Sequence, residues 1–407
     1  MLKIGVVGLG KLGLPLALVM AQNPTNTVVG FDVDLTRVKD LQGKKYNGAE
    51  PYVSEFLNSN YPNLIFTDNI ADLAQMEIAY LIVPTPSSID GAFENNFLLS
   101  AIDEIGRAWR NEKESKVLVI VSTVMPGSTG GELRKRLEKA ILRSCGDKLS
   151  LIYSPEFIAL GSVVTNLLNP DVILIGHEHK WALDKHLAAT SSYLSNVPKV
   201  IALNFKEAEL AKILLNTYIT MKISFANFIG ELAIQDTGIN AEAIADAVSS
   251  DSRVGSKYFR PGLGYGGPCF PRDNRALISY TKGIGISADL AVATDIINLR
   301  TPENIAMDIV RRFPDVMSVG VYGLTYKMHS EVTEESQSIM LANELIQHDL
   351  AVMTFDPILM DRPPKLNPRV HFEKDFERFI QVDLIINATG AVDAEAKLPV
   401  TVTMISI

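Results

Sequence analysis

A glycine-rich segment near the N-terminus constrains the fold of this chain more than any other feature. Gly8, Gly10 and Gly13 form the pattern GxGxxG. The pattern follows an apolar run at Lys3–Val7, which predicts a buried strand, and it opens a helical pattern at 12–20. The three glycines suit a tight turn, an approach of backbone to a pyrophosphate and close packing of helix on strand. Free N–H groups at the helix N-terminus would bind phosphate oxygens, so the segment predicts a dinucleotide-binding unit.

An acid at the end of the second predicted strand indicates which dinucleotide is bound. Asp32 follows the run Thr27–Phe31, about 20 residues after the turn, where a carboxylate can bind ribose hydroxyls. It would repel a 2′-phosphate, so NAD is favoured over NADP. The alternative is a plain glycine turn, but that does not account for the coincidence of strand, turn, helix and acid.

Two later segments, at 83–86 and 122–124, also follow predicted strands. Ligands gather at such carboxyl ends in open α/β sheets, although either segment is equally consistent with a simple strand-ending turn. We predict that the cofactor-binding residues are Gly8, Gly10, Lys11, Leu12, Gly13, Asp32, Arg37, Pro84, Thr85 and Thr123.

Short apolar runs alternate with helical patterns over the first half of the chain, which predicts a parallel sheet covered on both faces. Beyond the first two strands, we predict strands at 78–83, 117–121, 151–153 and 172–175. The middle predicts helices at 207–236, 239–247, 274–282 and 288–313, of which Pro302 can kink the last. The final part predicts strands at 318–322, 351–355 and 382–386, a helix at 336–347 and a candidate last strand at 400–405.

These patterns predict an α/β protein of three parts. Residues 1–200 would form a Rossmann-type NAD domain, and residues 201–312 a central helical domain that joins domains or forms an oligomer interface. Residues 313–407 would form a smaller, Rossmann-like α/β domain.

Composition excludes several classes of function. Acidic residues outnumber basic ones by 47 to 38 in 407 residues, which argues against binding to nucleic acid. The two cysteines, Cys145 and Cys269, fit a reducing cytoplasm better than a disulfide framework. The N-terminus shows no signal-peptide pattern, and no apolar run reaches the about 18 residues that a membrane helix needs. We therefore expect a cytoplasmic protein that binds no membrane, and we predict no metal site.

The segment 260–273 contains four glycines and three prolines around a cysteine, and it predicts a rigid loop close to a ligand. Cys269 stands just before a predicted helix, where a thiolate is favoured, and the thiolate is the nucleophilic form. Asp273, four residues on, can share its helical face. The alternative is that Cys269 is a small buried hydrophobe, as most free cysteines are.

Lys212 and Asn216 are four residues apart on the long predicted helix, so they share one face. A cation beside an amide donor would suit a developing oxyanion. The alternative is a solvated helical face.

A hydride acceptor and a nucleophilic thiol together could oxidise an alcohol twice. The aldehyde formed first would become a thiohemiacetal and then a thioester, from which water releases an acid.

At this point the sequence resembles the UDP-glucose/GDP-mannose dehydrogenase family. The matching blocks occur in order at Gly8–Gly13, Ser122–Val124, Ser154–Phe157, Glu209–Asn216, Arg253–Asp273 and Gly323–Lys327. The resemblance implies NAD-dependent, four-electron oxidation of a nucleotide sugar, a UDP-binding C-terminal domain and a homodimer formed through the long helix. The form of Gly266–Pro271 favours UDP-glucose, oxidised to UDP-glucuronate, with UDP-N-acetylhexosamines and GDP-mannose as alternatives.

The same resemblance implies roles for single residues. Cys269 would be the nucleophile, with Lys212 and Asn216 stabilising the oxyanion. Asp273 and Thr123 would hold a water for the first proton transfer, and Glu156 would activate water for thioester hydrolysis. Arg253 would reach the nucleotide across the dimer interface. The implied substrate-binding residues are Phe157, Ile158, Lys212, Asn216, Arg253, Tyr258, Phe259, Arg260, Gly266 and Lys327.

The sequence departs from the family pattern in three places. Leu160 replaces a second glutamate, so either hydrolysis relies on Glu156 alone or the sugar preference differs. Val332 and Glu334 replace an acid–arginine pair, which puts substrate contacts from the C-terminal domain in doubt. The C-terminus is shorter than the family's, so we expect a last strand or helix to be missing.

Two other classes of function remain open. A two-electron hydroxyacid dehydrogenase would share the first domain and the lysine–asparagine pair, but it needs neither a second α/β domain nor a cysteine in a glycine loop. A weakened relative that only binds NAD and a nucleotide sugar is suggested by Leu160 and Glu334. The presence of Cys269 and its implied partner residues argues against it.

Overall fold

The computed structural model describes residues 2–328, 330–388 and 403–407. The chain divides into two compact units, Met1–Ile213 and Leu214–Ile407, and the boundary falls inside one long helix. The division into three parts, 1–200, 201–312 and 313–407, stays a prediction.

The first unit contains an eight-stranded sheet in the order β3-β2-β1-β4-β5-β6-β7-β8. The strands are β1 Lys3–Val7, β2 Thr27–Phe31, β3 Leu64–Thr67, β4 Ile78–Leu81, β5 Lys116–Ile120, β6 Leu149–Tyr153, β7 Val172–His177 and β8 Lys199–Leu203. The helices before the boundary helix are α1 Gly13–Ala21, α2 Leu35–Gln42, α3 Val53–Asn58, α4 Asn96–Trp109, α5 Arg134–Ile141, α6 Val163–Leu168 and α7 Lys180–Ser191. The predicted strands 3–7 and 27–31 are confirmed with the same bounds.

The prediction of a parallel sheet is wrong at one pair of strands. From β3 to β6 in the sheet order, each strand is parallel to its neighbour, and β7 and β8 are also parallel to each other. The strands β6 and β7 are antiparallel, through the pairs Ile152–His177 and Tyr153–Gly176. Apolar runs mark strands that are buried and carry no information about their direction, so the sequence pattern could not reveal this reversal.

Both faces of the sheet are covered, as predicted. Val6 packs in one apolar cluster and its neighbour Val7 in another. Val28 and Val29 divide between the same two clusters. Successive strand side chains point to opposite faces, so this alternation shows a core on each side of the sheet.

The second unit begins within α8 Phe205–Gln235. It continues with α9 Ala241–Ser249, α10 Phe270–Gly283 and α11 Asp289–Arg312. Helix α11 runs through Pro302, and the predicted kink stays a prediction. Among the described residues, no helix is long and apolar enough to span a membrane.

A five-stranded parallel sheet completes the second unit, in the order β11-β10-β9-β12-β13. Its elements are β9 Ser318–Tyr322, α12 Gln337–Leu345, β10 Ala351–Phe355, β11 His371–Phe372, α13 Phe376–Phe379, β12 Leu384–Asn387 and β13 Thr403–Ser406. The candidate last strand at 400–405 is therefore present from Thr403, and residues 400–402 lie outside the described part.

The turn after β9 has the same construction as the glycine turn after β1 in the first unit. Gly323 has a φ of +88° and its N–H donates to Phe355 O at 2.8 Å. Asp356 Oδ2 accepts from the N–H groups of Leu324 at 2.7 Å and Thr325 at 3.2 Å. The acid that follows β10 thus holds the turn that follows β9.

Candidate active site

The glycine turn after β1 is built as the sequence predicts. Gly8 has a φ of +94°, a conformation that side chains disfavour, and a Cβ there would lie 2.1 Å from Ile82 O. A Cβ on Gly13 would lie 1.8 Å from Gly8 O. At Gly10 an added Cβ would meet nothing within 4 Å. The turn therefore packs tightly at its first and third glycines and leaves open space at the second, which fits the approach of a pyrophosphate.

Asp32 holds this turn in place. Its Oδ2 accepts from Leu9 N at 2.7 Å and from Arg37 Nη1 at 3.1 Å, and its Oδ1 accepts from Asp34 N at 2.9 Å. Arg37 lies on α2, which Asp34 caps by accepting from two backbone N–H groups. Sequence reasoning assigned Asp32 to the ribose and missed this structural role. The contact is to backbone, so side-chain identity gives no signal for it.

Side chains join the ends of β4 and β5, where other cofactor-binding residues were predicted. Thr85 Oγ1 donates to Thr123 O at 2.8 Å. Ser122 Oγ accepts from Val83 N at 3.0 Å and donates to Val83 O at 2.7 Å. The structure therefore brings Thr85 and Thr123 together and adds Ser122 as a support.

A buried glutamate fixes the rest of the loop that carries Thr123. Glu209, on α8, accepts from the N–H groups of Gly127 and Thr129, the latter at 2.7 Å. It is fully buried, and burial raises its pKa above the ordinary value. No role was predicted for Glu209, although an acid within an apolar helical pattern is a signal for a buried carboxylate.

Glu156 follows β6, whose end is tied to β5 by a bond from Ser154 N to Ile120 O at 2.9 Å. Burial raises the pKa of Glu156 to about 7, which suits a general base near neutral pH. The next residue, Phe157, lies under Lys212, with Nζ 6.0 Å from the ring centroid. Ile158 packs against the apolar core of this unit.

In the second unit, Cys269 immediately precedes α10 and is exposed. That exposure argues against the alternative of a buried hydrophobe. One turn along the helix, Asp273 N donates to Cys269 O at 2.9 Å. The buried Asp273 carboxylate accepts from Asn216 Nδ2 at 2.6 Å. The structure thus brings Asp273 and Asn216 into contact and places Asp273 one helical turn from Cys269.

The glycine loop before Cys269 is clamped on both sides. Asn298 accepts from Tyr265 N at 2.8 Å and donates to Tyr265 O at 3.0 Å. A Cβ on Gly266 would lie 2.3 Å from Glu335 O. Gly267 N donates to Glu334 O at 2.9 Å. The segment around Glu334, where the sequence departs from the family pattern, therefore supports the cysteine loop through its backbone.

The other predicted substrate residues occupy different environments. Arg253 and Arg260 are exposed and pair with Asp251 at 2.7 Å and Glu242 at 3.4 Å. Tyr258 and Lys327 are also exposed. Phe259 is buried and stacks on Phe225 with ring centroids 5.8 Å apart, so its side chain belongs to the helical core. Within the described residues, no group of three or more metal-ligand side chains could hold a metal ion.

In comparison with known proteins, this chain matches all three domains of one protein family. The NAD-binding domain of the UDP-glucose/GDP-mannose dehydrogenase family matches residues 2–190, its central domain 206–300 and its UDP-binding domain 320–396. The predictions of an NAD cofactor and of an α/β fold with a UDP-binding C-terminal domain are confirmed.

Individual relatives agree with the family match. UDP-glucose 6-dehydrogenase AglM of Haloferax volcanii is 28% identical over 98% of this chain and 91% of its own length. UDP-glucose 6-dehydrogenase of Pseudomonas aeruginosa is 27% identical over 88% and 79%. A solved UDP-glucose dehydrogenase from the archaeon Pyrobaculum islandicum aligns with a TM-score of 0.89 at 28% identity, covering 100% of this chain and 94% of its own. This chain belongs to the UDP-glucose/GDP-mannose dehydrogenase family and is an NAD-dependent enzyme that oxidises a nucleotide sugar.

Proposed function

We propose that this enzyme oxidises UDP-glucose to UDP-glucuronate in two successive oxidations, with Cys269 as the covalent nucleophile. The observation that carries the proposal is the exposed thiol at the start of α10, one turn from a buried aspartate bonded to Asn216. A helix N-terminus favours the thiolate. The names of the relatives described above support UDP-glucose as the sugar nucleotide.

Each residue has a distinct task in the proposed reaction. NAD would supply the hydride acceptor, one molecule for each oxidation, so that each sugar consumed yields two NADH. Asp273, with Thr123, holds the water that takes the alcohol proton. The Cys269 thiolate adds to the aldehyde carbon, while Lys212 and Asn216 hydrogen-bond the oxygen that gains negative charge. The second oxidation leaves a thioester on Cys269, which water then cleaves.

Counting NADH for each sugar consumed tests this reaction. With limiting UDP-glucose and excess NAD, we expect two NADH per sugar, and Cys269→Ala should abolish that yield. Cys145→Ala is the matched control, because burial raises the pKa of the Cys145 thiol to about 12 and leaves it unreactive. One NADH per sugar, unaffected by Cys269→Ala, would contradict the covalent route and favour a two-electron dehydrogenase.

Other outcomes would redirect the substrate assignment. Turnover of a UDP-N-acetylhexosamine or GDP-mannose, and not of UDP-glucose, would retain the chemistry and change the sugar. Binding without turnover of all of them would favour a relative that only binds, as the departures at Leu160 and Glu334 suggest.

We also propose the remaining site residues and the location. The glycine turn, with Lys11, Leu12, Arg37, Pro84 and Thr85, would line the NAD site. The two free cysteines, Cys145 and Cys269, fit a reducing compartment, which supports the cytoplasm as the place of action. The substrate site would include Phe157, Ile158, Arg253, Tyr258, Phe259, Arg260, Gly266 and Lys327.

We further propose a homodimer formed through the central helices, within residues 201–312. Exposed apolar side chains at helical spacing on one face of α8 and on one face of α11 support it, because every member of this apolar stripe is at least 40% exposed and exposed apolar patches mark interaction sites. On α8 and α11 the stripe consists of Leu214, Tyr218, Phe225, Phe228, Leu232, Val292, Ile296 and Leu299.

Light scattering tests the dimer. The wild type should have twice the 44.6 kDa of one chain. Phe228→Glu with Leu232→Glu should halve that mass, whereas Met360→Glu, at a site 79% exposed in the loop between β10 and β11, should leave it unchanged. A wild type of 44.6 kDa would contradict the dimer.

A further inference from the structure

A glutamate outside every residue set described so far holds the loop that carries Glu156. Glu50 lies between α2 and α3. Its Oε2 accepts from Gly161 N and its Oε1 from Val163 N, both at 2.7 Å. Each carboxylate oxygen therefore holds one backbone N–H group, about 110 residues away in the sequence. Hydrogen bonds to an ionised acceptor are about twice as strong as neutral ones.

These two N–H groups lie at and just before the start of helix α6, where backbone N–H groups lack partners within the helix and need a hydrogen-bond acceptor from elsewhere. Gly161 has a φ of +85°, and Val163 is the first residue of α6. The residue that precedes α6, Ser162, makes no capping bond with its side chain, so Glu50 does the work of a helix cap. Leu160 packs against the apolar core of the first unit. An apolar anchor and a distant carboxylate together fix this end of the loop.

The other end of the loop is fixed to the sheet, through Ser154 N and Ile120 O. Glu156 stands two residues after that tie and five residues before Gly161. A shift of the Glu50 end would therefore change where the Glu156 carboxylate lies. A misplacement of about 1 Å can cost about 100-fold in rate.

We propose that Glu50 is a positioning residue for thioester hydrolysis, acting through the loop that it holds from Gly161 to Val163. The inference rests on the proposed function. In that step Glu156 takes a proton from water as the water oxygen bonds to the thioester carbonyl carbon. The carbon–sulfur bond then breaks, the Cys269 thiolate leaves, and the sugar carboxylic acid gives its remaining proton to solvent and is released as the carboxylate. The two preceding oxidations do not use Glu156, so Glu50 affects the last step alone.

Glu50→Gln is the informative substitution. Its side chain keeps the shape of glutamate but offers one acceptor oxygen, and its NH2 group would face a backbone N–H group. Glu55→Gln is the matched control, because Glu55 is an exposed glutamate on the neighbouring α3. Glu50→Asp keeps the charge and shortens the side chain, so it should restore part of the lost rate.

Pre-steady-state kinetics separates the steps. For Glu50→Gln we expect a rapid burst of NADH at the wild-type rate, followed by steady turnover about 10- to 100-fold slower. The sugar acyl group should accumulate on Cys269, measured as a mass increase of the denatured protein. Glu55→Gln should match the wild type. Unchanged steady turnover in Glu50→Gln, or equal slowing of burst and steady phases, would overturn the proposal.

Amide hydrogen exchange provides a readout independent of turnover. The N–H groups of Gly161 and Val163 should exchange faster in Glu50→Gln and be unchanged in Glu55→Gln. Unchanged exchange in Glu50→Gln would overturn the proposal even if the enzyme is active. If the wild type oxidises no nucleotide sugar, the proposed function fails, and faster exchange would still support the hold of Glu50 on the loop.

Discussion

The raised pKa of Glu156 makes a quantitative prediction about stability. Burial moves this pKa from an ordinary value of 4.5 to about 7. In the unfolded chain the carboxyl ionises near 4.5, whereas in the folded protein it keeps its proton until about pH 7. Protonation of Glu156 therefore stabilises the folded state relative to the unfolded chain at low pH. This stabilisation is lost as the pH rises from 4.5 to about 7. A difference of about 2.5 pKa units corresponds to about 3 kcal/mol.

Glu156→Gln removes the ionisable group and keeps the shape of the side chain. We expect the variant to gain stability relative to the wild type as pH rises. Between pH 5 and pH 8 the difference in free energy of unfolding should shift by about 2–3 kcal/mol in favour of the variant. Urea denaturation at the two pH values, followed by far-ultraviolet circular dichroism, measures it.

Two results would refute this reasoning. A difference between variant and wild type that is the same at pH 5 and pH 8 would mean that folding leaves the Glu156 carboxyl unperturbed. A shift of the opposite sign would mean that the folded protein stabilises the ionised form. The same protonation should also govern turnover, so the hydrolysis rate of the wild type should rise with pH through about 7, and Glu156→Gln should lose that rise.

Three further substitutions test other contacts. Gly266→Ala should destabilise the protein by about 1–3 kcal/mol in urea denaturation, because its Cβ would meet Glu335 O; an unchanged midpoint would show that the loop yields freely. Glu209→Gln should cost about 1–3 kcal/mol in the same assay by removing one buried acceptor, and a neutral effect would contradict its role. Asn216→Ala should lower kcat about 100-fold with normal circular dichroism, whereas near-normal kcat would exclude Asn216 from oxyanion stabilisation.

Local patterns in the sequence predicted most of the fold. The strands at 3–7, 27–31, 318–322 and 351–355 have the predicted bounds, because short apolar runs bounded by turns identify buried strands. The pattern did not predict β8, whose residues are mostly half-buried or exposed and so lack a continuous apolar run.

Some features of the candidate site could likewise be predicted from the sequence, and others could not. The geometry of the glycine turn agrees with what its spacing indicated. The resemblance assigned Asn216 and Asp273 to the same site but did not predict the hydrogen bond between them. The binding partners of the Glu50 and Glu209 carboxylates could not be predicted, because each carboxylate binds backbone N–H groups at least 80 residues away in the sequence. Any residue offers an N–H group, so sequence identity does not reveal which one a distant acid will bind.

The bond between Asp32 and Leu9 has a consequence for cofactor engineering. Both units place an acid against the residue after the first glycine, Leu9 at 2.7 Å from Asp32 and Leu324 at 2.7 Å from Asp356. An acid after the second strand suits the ribose hydroxyls of NAD and opposes the 2′-phosphate of NADP, so a change of preference requires its removal. Here that change would also release the glycine turn after β1, so redesign for NADP requires a new acceptor for Leu9 N before it introduces a basic residue for the 2′-phosphate.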